Sequence, residues 1–376
     1  MTRLPTCLAL AGVAVLAACS DNTPMPAEPA ATAPEFRTND VGADAYIVTF
    51  KRDVADVRGA ARELAGRHGL ALGRVREHAA RGFTARMPEQ KAAALRADPR
   101  VLYVEKDGPV SLIKPIVDAK PGGGSGGQQT PWGITRVGGA GDGTGRTAWI
   151  LDTGIDLDHP DLNTSRACHT YFVGTSADDQ NGHGTHVAGT IAAKNNGIGV
   201  VGVAANAYVC SVRVLGASGS GSWSGIVDGV DYVAANGRSG DVANMSLGGS
   251  GEIAALTTAI QDAAQGGIRF AIAAGNDGEN AASHTPANVD GSGIYTVSAI
   301  GQNNCLTSWS NYGADVEYAA PGSGILSTYK GGGTRSLSGT SMAAPHVAGI
   351  LLLGGIRGDG TACGDPDGNP DPIAHR

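Results

Sequence analysis

The chain opens on an unbroken apolar run, Leu8 to Ala18, behind one basic residue, Arg3. That pattern predicts an export signal over 1–18, and the run is too short to span a bilayer. Over 19–42 it gives way to Ala, Pro and Thr without a period, which predicts a flexible tether. Periodicity returns at 43–107. It predicts a strand (Tyr46 to Phe50), a helix (Val54 to His68), two strands (Ala71 to His78, Gly82 to Met87), a helix (Glu89 to Ala97) and a strand (Val101 to Glu105). The order βαββαβ is that of a small α+β, ferredoxin-like domain.

Residues 108–129, centred on Pro121-Gly-Gly-Gly-Ser-Gly-Gly127, predict a flexible linker open to proteolysis. From 130 to 376 short apolar strands alternate with helices. The strands are Thr147 to Leu151, Tyr208 to Leu215, Val242 to Ser246 and Ile268 to Ala273; the helices start at His183, Ser222 and Ile253. Such alternation predicts an α/β domain, a parallel sheet with helices on both faces, whose site gathers at the carboxyl ends of the strands. Asp365 to Arg376, rich in Pro and Asp, is expected to be disordered.

Composition sharpens this picture. With 58 glycines and 5% aromatic residues, the chain suits a compact α/β protein with many tight turns. A net charge of -7 provides no basic field for phosphates, which sets nucleic-acid binding aside. Residues 43–107 hold 13 Lys or Arg against 9 Asp or Glu, whereas 128–376 hold 11 against 21. Opposite signs favour docking of the first region on the second.

Three segments put one reactive polar group among small residues: Trp149-Ile-Leu-Asp-Thr-Gly-Ile155, Asn181-Gly-His-Gly-Thr-His-Val-Ala-Gly189 and Ser338-Gly-Thr-Ser-Met-Ala-Ala-Pro-His-Val-Ala-Gly349. Alone, each has an ordinary explanation as a turn, a core histidine or a helix cap. Together, Asp152 at a strand end, His183 at a helix start and Ser341 before Pro345 supply an orienting acid, a base and a nucleophile. Asn276, closing the strand Ile268 to Ala273, could donate to a developing oxyanion beside the N–H of Ser341. No zinc motif accompanies His183 and His186, because H-E-x-x-H is absent.

These four segments resemble the Asp, His, Asn and Ser blocks of the subtilisin-like serine peptidases, in the Asp, His, Ser order of that family. The resemblance runs from about Thr130 to Gly354, and residues 43–107 are similar to the family's inhibitory propeptide. Trp132-Gly-Ile and Gly313 to Gly322 resemble the proteinase K branch. What this implies is an exported, self-processing serine endopeptidase, monomeric, with no cofactor for catalysis. Its substrates are proteins and peptides, bound as an added strand near Ser222, Gly225, Ser246 and Gly248. A bulky apolar side chain before the scissile bond is expected, and Asp277 could also tolerate a basic one.

Of six cysteines, Cys7 lies in the signal and Cys19 follows Leu16-Ala-Ala, which resembles a bacterial lipobox. A lipidated Cys19 would hold the precursor at a membrane until self-cleavage between Asp107 and Gln128 released the enzyme outside the cell. Cys168, Cys210, Cys305 and Cys363 allow three pairings. Cys168 with Cys210 and Cys305 with Cys363 are favoured, since each pair brackets one catalytic segment. Asp156, Asp158 and Asp161 make structural Ca2+ possible without an EF-hand spacing. Two rivals are a binding lipoprotein that keeps the fold without activity, and an α/β-hydrolase esterase. The latter would need G-x-S-x-G and the order Ser, Asp, His.

Overall fold

The computed structural model describes Met1, residues 45–117 and residues 127–376. The expected signal at 1–18, the tether with Cys19, and most of the glycine-rich centre of the expected linker lie outside the described residues. Among the described residues no helix is long and apolar enough to cross a membrane.

Residues 45–106 form the expected α+β unit. Its antiparallel sheet runs in the order Ala71–Arg76, Gly82–Arg86, Ala45–Phe50, Val101–Lys106. The helices Val57–His68 and Glu89–Arg96 contribute Leu64 and Leu95 to a core with Val48, Phe50 and Phe83. The first helix begins at Val57, three residues later than the pattern predicts. The Asp56 carboxylate accepts the Gly59 N–H at 2.8 Å, and this cap sets the start.

The larger part is built on a nine-stranded sheet. Its order is Arg357–Thr361, Pro372–His375, Tyr318–Pro321, Ile294–Ile300, Arg269–Ala273, Val242–Met245, Thr147–Asp152, Tyr208–Arg213, Thr170–Tyr171. Every pairing except the first is parallel. Apolar side chains on both sheet faces need cover, and helices supply it. His183–Ala192 and Thr340–Leu353 pack into one core with Ile150, Ala271 and Val297. Trp223–Asn236 and Ala254–Gln265 pack into the other with Leu151, Val212 and Phe270. Disulfides join Cys168 to Cys210 and Cys305 to Cys363.

Two expectations are corrected. The predicted linker 108–129 is ordered at its start: Pro109–Leu112 lies between Ser220–Ser222 and Leu247–Ser250, and Ile116–Val117 pairs with Gly333–Ser338. Edge strands far away in sequence satisfy this backbone, so its few local signals mislead. The predicted disorder at Asp365 to Arg376 fails for the same reason. Pro372–His375 adds to the sheet beside Tyr318–Pro321, with Ile373 and Ala374 buried.

The N-terminal unit docks on the larger part mainly through carboxylates. Glu105 accepts the N–H groups of Ala254 and Ala255, both at 2.8 Å, at one helix N-terminus. Asp107 accepts the N–H of Ser224 at 3.0 Å at another. Each places negative charge where a helix dipole and unpaired N–H groups favour it. In the reverse direction Asp231 accepts from the N–H groups of His78 and Ala79, and Asp228 pairs with Arg76 at 3.1 Å.

Candidate active site

The strand Thr147–Asp152 is apolar until its last residue, so Asp152 emerges at the carboxyl end of the sheet, fully buried. His183 starts a helix whose first turn lies against that strand end. Its Nδ1 sits 2.8 Å and 2.9 Å from the two Asp152 carboxylate oxygens. Close approach depends on two glycines. A Cβ on Gly184 would lie 2.1 Å from the Gly154 carbonyl oxygen, and one on Gly182 (φ +109°) would lie 2.3 Å from the Tyr329 ring. The bare backbone around His183 therefore serves packing.

Burial alone would push the His183 pKa down. The charge and hydrogen bond of Asp152, joined by the charge of Asp179, outweigh burial and raise it above the ordinary histidine value. His186, one turn later, is buried near His183 and falls to about 3, so it stays neutral beside it.

Asp179 escaped the sequence reading. Its buried carboxylate accepts five hydrogen bonds: from the N–H groups of Asn181, Gly182 and Thr185 and from the hydroxyls of Thr153 and Thr185. Thr153 follows Asp152, and Asn181, Gly182 and Thr185 surround His183. One side chain therefore fixes the His183 segment to the Asp152 segment. Its sequence signal is an acidic residue just ahead of a helix start, a position that favours carboxylates.

Ser341 is the second residue of the helix Thr340–Leu353, which is buried along almost its whole length. Pro345 is the sixth residue of that helix. Having no N–H, it cannot bond the Ser341 carbonyl one turn back. The Ser246 hydroxyl donates to that carbonyl instead, at 3.1 Å.

Asn276 is oriented by the same helix. Its Oδ1 accepts from the N–H and the hydroxyl of Thr340, both at 2.9 Å, which leaves Nδ2 to donate to the Lys114 carbonyl at 3.1 Å. The loop carrying Asn276 is held by Asn311. Asn311 accepts from the N–H groups of Asp277 and Glu279 and donates to the Ala274 carbonyl.

The structure thus joins Asp152 to His183 and turns Ser341 and Asn276 onto one segment, residues 113–114. The Ser341 hydroxyl donates to the carbonyls of Ile113 (3.3 Å) and Ser246 (3.4 Å), while the buried Nε2 of His183 has no partner. Of the residues expected to bind substrate, Ser222 and Gly248 lie on the two strands flanking Pro109–Leu112. Ser246 is buried with its hydroxyl on Ser341, and Gly225 lies in a helix first turn, donating to the Ser222 hydroxyl.

A cavity of about 300 Å³ opens beside Lys114, lined by Leu247, Gly248, Ala273, Asn276, Asp277 and His284. Asp156 accepts from Gly331 and Gly332, and Asp161 from Val200 and Asn196. Among the described residues no group of three or more His, Cys, Asp or Glu is arranged to hold a metal.

Residues 143–354 match the family model described as Subtilase family, and residues 45–113 the one described as Peptidase inhibitor I9. Alkaline serine exoprotease A of Vibrio alginolyticus is 42% identical over 305 residues, covering 77% of this chain and 54% of that protein. Subtilisin Savinase of Lederbergia lenta is 46% identical over 232 residues, covering 60% of this chain and 84% of that one. A solved structure of a cold adapted subtilisin-like serine proteinase aligns with a TM-score of 0.53 and 42% identity, covering 59% of this chain and 83% of that one. The chain spans 54% to 65% of the length of the first curated relatives it matches.

Proposed function

The chain belongs to the subtilase family, and from that membership we propose that it is an exported serine endopeptidase made as a self-inhibited zymogen. The observation that carries the proposal is the Asp152 carboxylate on His183 Nδ1, at the sheet edge where Ser341 and Asn276 face one peptide segment. In the proposed reaction the Ser341 oxygen attacks a substrate carbonyl and His183 takes its proton. Asp152 holds the imidazole in the tautomer that leaves Nε2 free to act and stabilises the imidazolium. Nδ2 of Asn276 and the N–H of Ser341 receive the oxyanion. His183 then protonates the leaving nitrogen, and water hydrolyses the ester.

Substrate is proposed to lie as an added antiparallel strand between Ser220–Ser222 and Leu247–Ser250, with its side chain before the scissile bond in the 300 Å³ cavity. The apolar walls of that cavity support a bulky apolar side chain. Asp277 and Glu279, 3.4 Å and 3.8 Å from His284, support tolerance of a basic one. The N-terminal unit is proposed to be the intramolecular inhibitor, supported by its carboxylates on two helix ends. Trp132-Gly-Ile supports a place in the proteinase K branch. Leu16-Ala-Ala-Cys19 supports a lipid anchor that stays with the N-terminal piece when the enzyme, acting as a monomer, is released. A calcium ion forms no part of the proposal, because Asp156 and Asp161 bond backbone and amide donors.

A fluorophosphonate probe should label the processed wild type and not Ser341→Ala, and only the wild type should digest casein. Labelling without casein digestion, combined with rapid ester cleavage, would replace the peptidase reading with an esterase.

A further inference from the structure

The segment between the two folded parts passes directly through the site. Pro109–Leu112 is paired on both sides, with Ser111 opposite Ser220 and Gly248. Beyond the serine, Ile116 and Val117 pair with Ser338 and Leu337. The chain is therefore gripped before and after the nucleophile, and the carbonyl on Asn276 Nδ2 is that of Lys114. A donor aimed at the future oxyanion identifies the carbonyl presented for attack. The bond in catalytic register is Lys114–Pro115.

We propose that residues 109–117 are a substrate-like strap bound in register but not cut, and that Pro115 is the residue that prevents the cut. This rests on the peptidase reading above and specifies which bond of its own chain the enzyme spares.

Cleavage would form an ester between Ser341 Oγ and the Lys114 carbon and break the Lys114 C–N bond. The departing Pro115 nitrogen would need a proton from His183, and water would then give the Lys114 carboxylate and restore Ser341. In an X–Pro bond that nitrogen carries a ring carbon in place of hydrogen, and the ring fixes φ. A nitrogen so substituted has less room to turn its developing lone pair towards an imidazole, which slows the proton delivery that completes the cut. The serine is also diverted. Its hydroxyl donates to the strap's own Ile113 carbonyl, and His183 Nε2 is left without a partner. The strap thus fills the cleft while the Ser341 hydroxyl faces the Ile113 and Ser246 carbonyls and no hydrogen bond joins it to His183.

The test compares full-length wild type, Pro115→Ala, and Pro115→Ala combined with Ser341→Ala, by intact mass and N-terminal sequencing of the products. The strap reading expects no wild-type fragment beginning at Pro115. It expects a new fragment beginning at residue 115 in Pro115→Ala, lost again in the double variant. A nine-residue peptide covering 109–117 separates the chemistry from any folding defect. The wild-type peptide should inhibit the processed enzyme and survive, and its Pro115→Ala form should be hydrolysed about 100-fold faster, the scale of restored general-acid catalysis.

A wild-type cut at Lys114–Pro115, or equal survival of both peptides, overturns the strap reading while leaving peptidase activity intact. Absence of Ser341-dependent casein digestion would instead overturn the underlying peptidase assignment, and the strap reading with it.

Discussion

In the N-terminal unit Glu63 pairs with Arg67 and Arg100, Asp98 pairs with Arg100, and Glu89 with Arg96, all at or near the surface. The larger part holds its segments through buried hydrogen bonds, many of them to the Asp179 carboxylate, two disulfides and close glycine contacts. Within it Arg136 pairs with Asp359 near the surface, and His183 lies on the Asp152 carboxylate in the interior. Surface ion pairs contribute little each and respond to salt and pH, whereas buried bonds and cross-links persist. One region is constructed to be separable and the other to endure, and the contacts between them mix the two kinds: Arg52 with Asp262 lies at the surface, whereas Arg76 with Asp228 is buried.

The strongest challenge to this contrast is Ser341→Ala. Activity on casein should fall about a millionfold, the size recorded for loss of the serine in a subtilisin. Gel analysis should show the two regions still in one uncut chain. A processed product would mean that another protease, and not this site, divides them.

Asn276→Ala should lower kcat about 100-fold to 1,000-fold with KM little changed, since the lost donor acts on the transition state. A change confined to KM would make Asn276 a substrate contact only.

At the junction, Asp107→Ala removes the acceptor for Ser224 at a helix start. It should weaken the hold of the N-terminal unit about fivefold, one cap's worth. The release rate after processing would show it, and an unchanged rate would place the hold elsewhere.

Asp179→Asn keeps the shape and removes a charge that raises the His183 pKa. In the proposed mechanism His183 accepts a proton and so acts when neutral, and the acid limb of kcat/KM should move to lower pH, by about half a unit to one unit. Asp152, His186 and Arg213 also face this region and remain in place. A purely structural Asp179 would lower thermal stability without moving that limb.

The smallest effect concerns acid. Arg100 lowers the pKa of Asp98 to about 2, so its stabilisation is present above the ordinary carboxylate range and is lost as pH falls towards 2. Burial raises Glu317 and Asp371 to about 7, so what they contribute is complete in acid and is lost as pH rises through 7. Acidification of Ser341→Ala from pH 7 to 3 should therefore loosen the N-terminal unit first, as read by amide exchange. Simultaneous loosening would erase the contrast.

How much of this was legible in the sequence depended on how locally each feature is encoded. Asp152, His183, Ser341 and Asn276 were readable because each closes or opens an element whose own residues announce it. The strap was not. Val110 and Leu112, and then Ile116, are too few to signal strands, and their partners lie about a hundred or more residues further along. Pro372–His375 was missed likewise, because Pro and Asp suggest disorder until Tyr318–Pro321 offers an edge. Asp179 was hidden because an acidic residue before a helix is ordinary. Its importance comes from Thr153, brought alongside only by folding.

The hydroxyl of Ser341 resting on Ile113 has a further consequence for detection. A cell could accumulate the intact precursor as a chemically quiet reserve, its nucleophile present but not poised. Reagents that count reactive serines in extracts would then miss this pool and report only molecules that had lost residues 113–114 from the cleft. A census by antibody and one by active-site reagent should disagree, and the gap between them would measure the latent fraction.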